Sequence, residues 1–430
     1  MKYTEAVAYL DSCIGLGRKF GLEPMRSVMS RMGDPQNRCR SIHVAGTNGK
    51  TSTSRMAGRV LLTQGYSAGV FISPHLQAVE ERIAVNGRDL SRAQFAEAIS
   101  EVADVVAEEV ADGGRPLTYF ELTTAAAFGH FRRAGVDAMV MEVGLGGRLD
   151  ATNVMSAEVA VLTGLSFDHT EYLGDTLPQI AAEKLGIVDP GARLVCGSIP
   201  SEAAPVVERR ARNAGAEVVW LGKDFGVRSV SPRPEGGWTV TVDGLYGSYE
   251  NLEIPLRGRH QTRNLATAVA AAESWLEGAL DGERLRAGLA ALSVPGRMEL
   301  ITVGSTPILL DGAHNPEACS VLAKSLAEEF GGRKWVGVLG MMKDKDLETM
   351  VQHLAPHLDR VVATRVDYSR ALSPRAIAQR MEKVCDLEVI ERKDPADAVR
   401  EACAAAGPRG RVLVAGSLYL VGEVRTLVGL

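Results

Sequence analysis

Along the chain, short β-rich runs alternate with longer stretches of helical periodicity, the pattern of a mostly parallel sheet covered by helices. Ser41-Ile42-His43-Val44-Ala45 predicts a strand, a glycine-bearing turn follows, a helix is expected over 50–64, and 68–72 predicts the next strand. Ser91 suits the cap of an amphipathic helix reaching Val110, and 137–143 predicts a buried strand that ends in a glycine cluster. Over 218–255 the texture changes. Trp238-Thr239-Val240-Thr241-Val242 alternates with period two among Pro232, Pro234, Gly236, Gly237 and Gly244, which predicts an antiparallel β insertion. An alanine-rich helix over 261–280 then leads to Ser293-Val294-Pro295-Gly296-Arg297, whose Pro-Gly step marks a turn and the expected domain boundary. Beyond it, strands are expected at 307–310, 335–339, 360–366, 387–391 and 411–415, separated by helices.

Length and composition narrow the classes. A chain of 430 residues exceeds the usual size of one hydrophobic core, so two domains are expected. A hydrophobic fraction of 46%, a charged fraction of 23% and a mean hydropathy of -0.00 exclude disordered and fibrous classes. A net charge of -5 and a pI near 6.0 supply no basic field for nucleic acid, which is not expected as a partner. The six cysteines, Cys13, Cys39, Cys196, Cys319, Cys385 and Cys403, lie far apart and read as reduced thiols rather than a zinc site or disulfide framework. The first residues carry no cationic stretch followed by an apolar run, and no segment approaches a membrane-spanning length. A cytoplasmic location without a membrane partner is expected.

The strongest chemical signal is His43-Val44-Ala45-Gly46-Thr47-Asn48-Gly49-Lys50-Thr51-Ser52, a glycine-bearing loop between a strand and a helix. Such a loop turns backbone N–H groups toward phosphate oxygens, the helix N-terminus adds partial positive charge, Lys50 adds a full one, and the Thr51 hydroxyl can ligate magnesium. The common form of the loop has glycine where this chain has Val44, so the match is to a variant. The fold class expected is therefore α/β, a P-loop-type doubly wound sheet with a small antiparallel β insertion over 1–295, followed by a smaller Rossmann-like α/β domain over 296–430. A second glycine cluster, Glu142-Val143-Gly144-Leu145-Gly146-Gly147-Arg148-Leu149-Asp150, begins where a strand should end, the edge at which open α/β sheets hold ligands. Glu142 can offer a carboxylate to magnesium, and Arg148 or Asp150 can face a substrate, although the segment taken alone also fits a plain strand-to-loop turn. Ser73-Pro74-His75-Leu76, Asp168-His169 and Glu183-Lys184 are weak singly, since a lone loop histidine is usually structural and a helical lysine usually solvated. Asp311-Gly312-Ala313-His314-Asn315-Pro316 follows an apolar strand, and an acid there suits ribose hydroxyls. Arg297, at the junction, suits a phosphate, or serves only as a linker residue.

Taken in order, these segments, together with Leu117 to Thr123, Glu183 to Ile187, His260-Gln261 with Asn264, and Leu310 to Pro316, resemble the Mur ligase superfamily and, within it, the folylpolyglutamate synthase and dihydrofolate synthase family. The resemblance spans nearly the whole chain. It implies that Gly46, Thr47, Asn48, Gly49, Lys50 and Thr51 bind ATP, with Asn264, Arg297, Asp311 and His314 as further nucleotide contacts. It implies two magnesium ions served by Thr51, Ser73, Glu142, His169 and Lys184, the last carbamylated and so converted from a cation into an anionic oxygen ligand. Lys50, Glu142, His169 and Lys184 would be the catalytic set. Folate or pteroate contacts carry over onto Glu23, Pro24 and Met25, onto Thr118, Tyr119, Phe120 and Glu121, and onto Leu149, Asp150 and Ala151. Leu185 stands where family members often have alanine.

The activity so implied is ATP-dependent addition of L-glutamate to a folate, or to dihydropteroate, through an acyl phosphate, by a monomer whose second domain closes over the nucleotide. Two rivals stand beside this reading, one within the superfamily and one from a different class. A cell-wall ligase of the same superfamily would need a separate nucleotide-holding domain ahead of the phosphate loop, for which the roughly 45 residues there are too few. A regulatory ATPase or kinase would leave Asp311 and the Glu142, His169 and Lys184 set without a task.

Overall fold

Parallel pairing organises the larger sheet of this computed structural model, which describes residues 1–17 and 21–430. Its strands are β1 (Arg40–Ala45), β2 (Ala68–Phe71), β3 (Ile83–Val85), β4 (Arg88–Asp89), β5 (Ala138–Glu142), β6 (Val159–Gly164), β7 (Arg193–Ser198) and β8 (Glu217–Trp220). They run in the order β4-β3-β2-β5-β1-β6-β7-β8. The six from β2 to β8 are parallel, and β3 and β4 add an antiparallel ribbon at one edge. Central strands of this kind are buried on both faces. β2 and β5 read accordingly as nearly unbroken apolar runs, whereas β1, equally buried, carries Ser41 and His43 among its apolar residues.

The helices that cover this sheet are α1 (Tyr3–Ser12), α2 (Glu23–Arg31), α3 (Lys50–Thr63), α4 (Arg92–Ala111), α5 (Tyr119–Ala134), α6 (Thr170–Leu173), α7 (Leu177–Lys184), α8 (Ala204–Ala214), α9 (His260–Leu276) and α10 (Gly282–Leu289). One apolar cluster joins α1, α2, α4 and α5 to the sheet through Leu10, Met25, Phe95, Phe128 and Phe71. A second joins α7 and α8 to it through Ile180, Val207, Leu162 and Leu194. Helix boundaries follow local chemistry. Ser91 and Thr118 each accept a backbone N–H at the start of α4 and α5 and are answered by Gln94 and Glu121 in capping boxes. The insertion is a three-stranded antiparallel sheet, β9 (Gly226–Pro232), β10 (Trp238–Asp243) and β11 (Ser248–Ile254).

The smaller sheet consists of β12 (Glu299–Val303), β13 (Thr306–Leu310), β14 (Trp335–Leu339), β15 (Leu358–Ala363), β16 (Glu388–Glu391) and β17 (Val412–Ala415), in the order β12-β13-β17-β14-β15-β16. All pairs are parallel except β12 with β13. It is covered by α11 (Pro316–Phe330), α12 (Leu347–Leu354), α13 (Pro374–Met381), α14 (Pro395–Ala406) and α15 (Leu418–Leu427), with its own core around Trp335, Leu339, Met350 and Leu413. The chain divides into two units, Met1–Arg233 with Trp238–Ile254 and Thr262–Leu292, and Pro234–Gly237 with Pro255–Gln261 and Ser293–Leu430. Among the described residues, no helix is long and apolar enough to cross a membrane.

Candidate active site

The phosphate loop is shaped by what crowds it. Gly46 and Gly49 hold φ of 154° and 84°, the left-handed region that favours glycine. A side chain at Gly46 would collide with Thr163 of β6, and one at Gly49 would come within 2.9 Å of Asn264 Oδ1 on α9. The end of β6 and the residues just after it hold the loop. Thr163 Oγ1 donates to Asn48 O (2.7 Å), Thr47 N to Gly164 O (2.9 Å), and Thr47 Oγ1 to Ser166 O (3.1 Å), while Ser166 N returns a bond to Thr47 Oγ1 (3.1 Å). Gly49 caps α3, whose first-turn N–H groups and dipole favour an anion at this point.

Two lysines meet on one carbonyl. Lys50 Nζ donates to Gly46 O and Thr47 O, both at 3.1 Å, and Lys184 Nζ donates to Gly46 O at 2.9 Å. Lys184 ends α7 and is 4% exposed. Burial, and next the neighbouring Lys50 charge, pull its ammonium down to about 7. Opposite, Glu142 closes β5 with 1% exposure and takes Thr51 Oγ1 on Oε1 (2.9 Å) and Ser73 N on Oε2 (3.3 Å). Thr51, Ser73 and Glu142 are thereby brought together at the carboxyl ends of β1, β2 and β5. His169 caps α6 at a φ of 52°, its backbone N–H donates to Asp168 Oδ1 (2.9 Å), and its ring lies 4.0 Å from the same oxygen. His75 accepts from Arg82 Nε (3.0 Å), and burial, with the Arg82 charge, holds it down at about 4.

The second glycine cluster wraps around Asp150. This carboxylate accepts from Gly144 N, Leu145 N and Thr152 N, each at 3.0 Å, and from Thr152 Oγ1 at 2.6 Å. Burial pushes it up and the four donors oppose that shift. The Asp150 side chain therefore points into the loop, leaving backbone to face any ligand there, and Ala151 is buried beside it at 6% exposure while Leu149 is half-buried. Arg148 pairs with Glu183 (3.1 Å). Among the acceptor-side candidates, Thr118 caps α5, and Glu121 is buried with Arg115 bound to both its oxygens at 2.9 and 2.7 Å. Arg82 stacks over Tyr119 (5.2 Å), and Phe120 leans on Phe71 (5.9 Å) and fills the space where a Gly144 side chain would go. Glu23 and Pro24 open α2, and Met25 is fully buried in the apolar cluster.

In the smaller unit, Asp311 follows β13 and accepts from Met298 N and Ala313 N, both at 2.8 Å. Burial pushes this carboxyl up, and the Arg297 charge opposes it. Arg297 Nη1 and Leu418 Cδ2 press against Gly312, where a Cβ would come within 2.3 Å of each. His314 Nδ1 lies 2.7 Å from Gly312 O, and Asn315 caps α11 through Ala318 N (2.9 Å).

Comparison with known proteins places this geometry. The Mur ligase middle domain matches residues 44–272, and the Mur ligase glutamate ligase domain matches 296–418. The dihydrofolate synthase/folylpolyglutamate synthase of Mycobacterium tuberculosis is 36% identical, with 95% of this chain and 90% of that protein covered. The chain belongs to this family of Mur ligases. Among solved structures, Mycobacterium tuberculosis folylpolyglutamate synthase complexed with ADP superposes with a TM-score of 0.94 at 34% identity, covering 100% of this chain and 99% of that one. E. coli FolC in complex with DHPP and ADP superposes with a TM-score of 0.88 at 29% identity, covering 100% and 98%.

As a Mur ligase the chain is an ATP-dependent ligase, and relatives with this fold have been solved with ADP bound. The oxygen donors Thr51, Ser73 and Glu142 fit a hard divalent cation. Among the described residues no three His, Cys, Asp or Glu gather into a metal-holding group, so an ion here would draw on hydroxyl and phosphate oxygens as well. Thr163, Ser166, Arg82 and Arg115 were absent from the sequence-based set. Thr163 and Ser166 sit at and just after the end of β6, a strand for which no sequence expectation was made.

Proposed function

We propose that this Mur ligase uses ATP to join L-glutamate to the carboxylate of a folate, with dihydropteroate as a second acceptor. The observation that carries this reading is the convergence of Lys50 and Lys184 on Gly46 O beside a Thr51–Glu142 pair at the strand ends. A carboxylate is a poor electrophile. Its oxygen attacks the γ-phosphorus of ATP, ADP leaves, and an acyl phosphate results. The α-amine of glutamate then attacks the acyl carbon, phosphate departs, and the nitrogen loses its proton to leave an amide. The loop N–H groups, the α3 N-terminus and Lys50 stabilise the charge that shifts during the first transfer.

Magnesium, when bound, supplies further neutralisation of phosphate charge. Thr51, Ser73, Glu142 and His169 would hold it, together with Lys184 as its carbamate. A near-neutral, buried Lys184 amine supports that modification, because carbon dioxide adds only to the uncharged form. Asn264, Arg297, Asp311 and His314 are proposed nucleotide contacts. Glu23, Pro24, Met25, the 118–121 turn and Leu149 to Ala151 are proposed to line the acceptor, the turn through its aromatic faces. We assign 1–295 to the ATP-binding domain and 296–430 to the ligase domain, and propose a cytoplasmic monomer, in keeping with six free thiols.

A phosphate-release assay offering 7,8-dihydropteroate, tetrahydrofolate and one-carbon folates separately, each with and without glutamate, tests the proposal. Release that requires both acceptor and glutamate is expected. Release indifferent to them would point to a plain ATPase and overturn it.

A further inference from the structure

No step proposed above uses His43, yet it is fully buried in the middle of β1, three residues before Gly46 and in register between Met141 of β5 and Ala160 of β6. Its Nε2 lies 2.8 Å from Thr152 Oγ1. Three backbone N–H groups and one hydroxyl converge on Asp150, which suits an acceptor-only carboxylate. Thr152 therefore spends its one hydroxyl hydrogen on Asp150 Oδ1, at 2.6 Å. What remains on Thr152 Oγ1 is a lone pair, so His43 Nε2 must carry the hydrogen and donate. His43 Nδ1 is then bare, and it has no hydrogen-bond partner. Burial holds the ring neutral, its pKa pulled down to about 3.

We infer that His43 is a positioning residue for the acceptor side of the reaction. Acting through Thr152, it fixes the Asp150 carboxylate that ties down Gly144 and Leu145. The inference rests on the reading that Leu149 to Ala151 line the carboxylate substrate. Gly144 and Leu145 follow Glu142 by two and three residues, so the relay connects the strand that feeds the phosphate loop to the turn that shapes the acceptor site. It touches the acceptor turn directly and the nucleotide loop only through its own strand, which is why the two substrates should respond differently.

Steady-state kinetics and ring NMR on the full chain test this. His43→Leu is expected to raise KM for the folate acceptor about tenfold, the loss of one net hydrogen bond, with KM for ATP changed less than about twofold. His43→Gln, which keeps a side-chain N–H for Thr152, is expected to recover most of that loss. Thr152→Val should reproduce the split, and the double variant should be no worse than either single. Ring-labelled wild type should show His43 as the neutral Nε2–H tautomer. A Nδ1–H tautomer, equal movement of both KM values, or a His43→Gln variant no better than His43→Leu would overturn the inference. Should His43→Leu fail to fold, Thr152→Val and His43→Gln make the same comparison. A wild type that ignores folate acceptors would instead overturn the proposed function, and the ring tautomer would still decide the relay.

Discussion

Two ammonium groups cannot share one carbonyl oxygen in a dry site without cost, and Lys50 and Lys184 do so at 3.1 and 2.9 Å. Lys50 is bonded also to Thr47 O, and the more buried Lys184 is the group that yields its proton, at about pH 7 rather than its ordinary 10.5. Between those two values the unfolded chain holds a proton that the folded chain lacks, so the contribution of Lys184 to stability rises with pH and is lost as pH falls toward 7. In carbon-dioxide-free buffer, Lys184→Met should therefore gain most over the parent near pH 7, and the gain should shrink toward pH 10 in denaturant titrations. A gain independent of pH would mean the amine is not buried as described. With labelled bicarbonate, a carbamate signal that grows as pH rises through 7 and vanishes in Lys184→Met is expected by carbon NMR. Read singly, Lys184 looked like a solvated helical charge, and only its company in the family pattern suggested otherwise. Burial depends on what packs over α7, which lies far away in sequence. Asp150 is the converse case, a candidate substrate contact whose side chain is consumed by the turn it holds.

At the scale of elements, the loop is set by space and the helices by their caps. Gly46→Ala would push a methyl into Thr163, so the loop must move. Its KM for ATP should rise at least about tenfold while the fold survives, because one displaced phosphate contact costs on the order of 1.4 kcal/mol. An unchanged KM would mean the loop does not meet the nucleotide. Thr118→Ala removes the α5 cap and should cost about 1 kcal/mol, read as a Tm lower by roughly 2–4 °C. Much of this scale was legible in the sequence. β1, α3, the Ser91 cap and the strand Trp335–Leu339 fall where periodicity and capping residues predict them, while the antiparallel insertion starts at Gly226 and not at 218, because β8 pairs in parallel with β7 in the larger sheet. The ribbon of β3 and β4 was not legible, because three- and two-residue strands have too few positions to display a period. Helices α1 and α2 carry a weak sequence signal for another reason. Their apolar residues belong to a core completed by α4 and α5, and a short amphipathic segment before a strong motif carries little signal of its own.

Taken whole, the molecule is two α/β units, each with its own core and each with an acid at the end of a parallel strand, Glu142 in one and Asp311 in the other. Nucleotide binding should register as stability. ADP at about 100 times its Kd should add about 2.7 kcal/mol to the unit that binds it. Lys50→Ala should abolish most of the accompanying Tm shift, and a full shift in that variant would remove Lys50 from the nucleotide site. The reaction itself turns on a covalent step: oxygen from the acceptor carboxylate passes to phosphorus before the amide forms. The direct measurement is to run one round of turnover with an acceptor folate labelled with oxygen-18 in its carboxylate and to analyse the released phosphate by mass spectrometry. One labelled oxygen per phosphate, in step with amide formed, is the predicted result. Phosphate free of label, with amide still produced, would contradict the account.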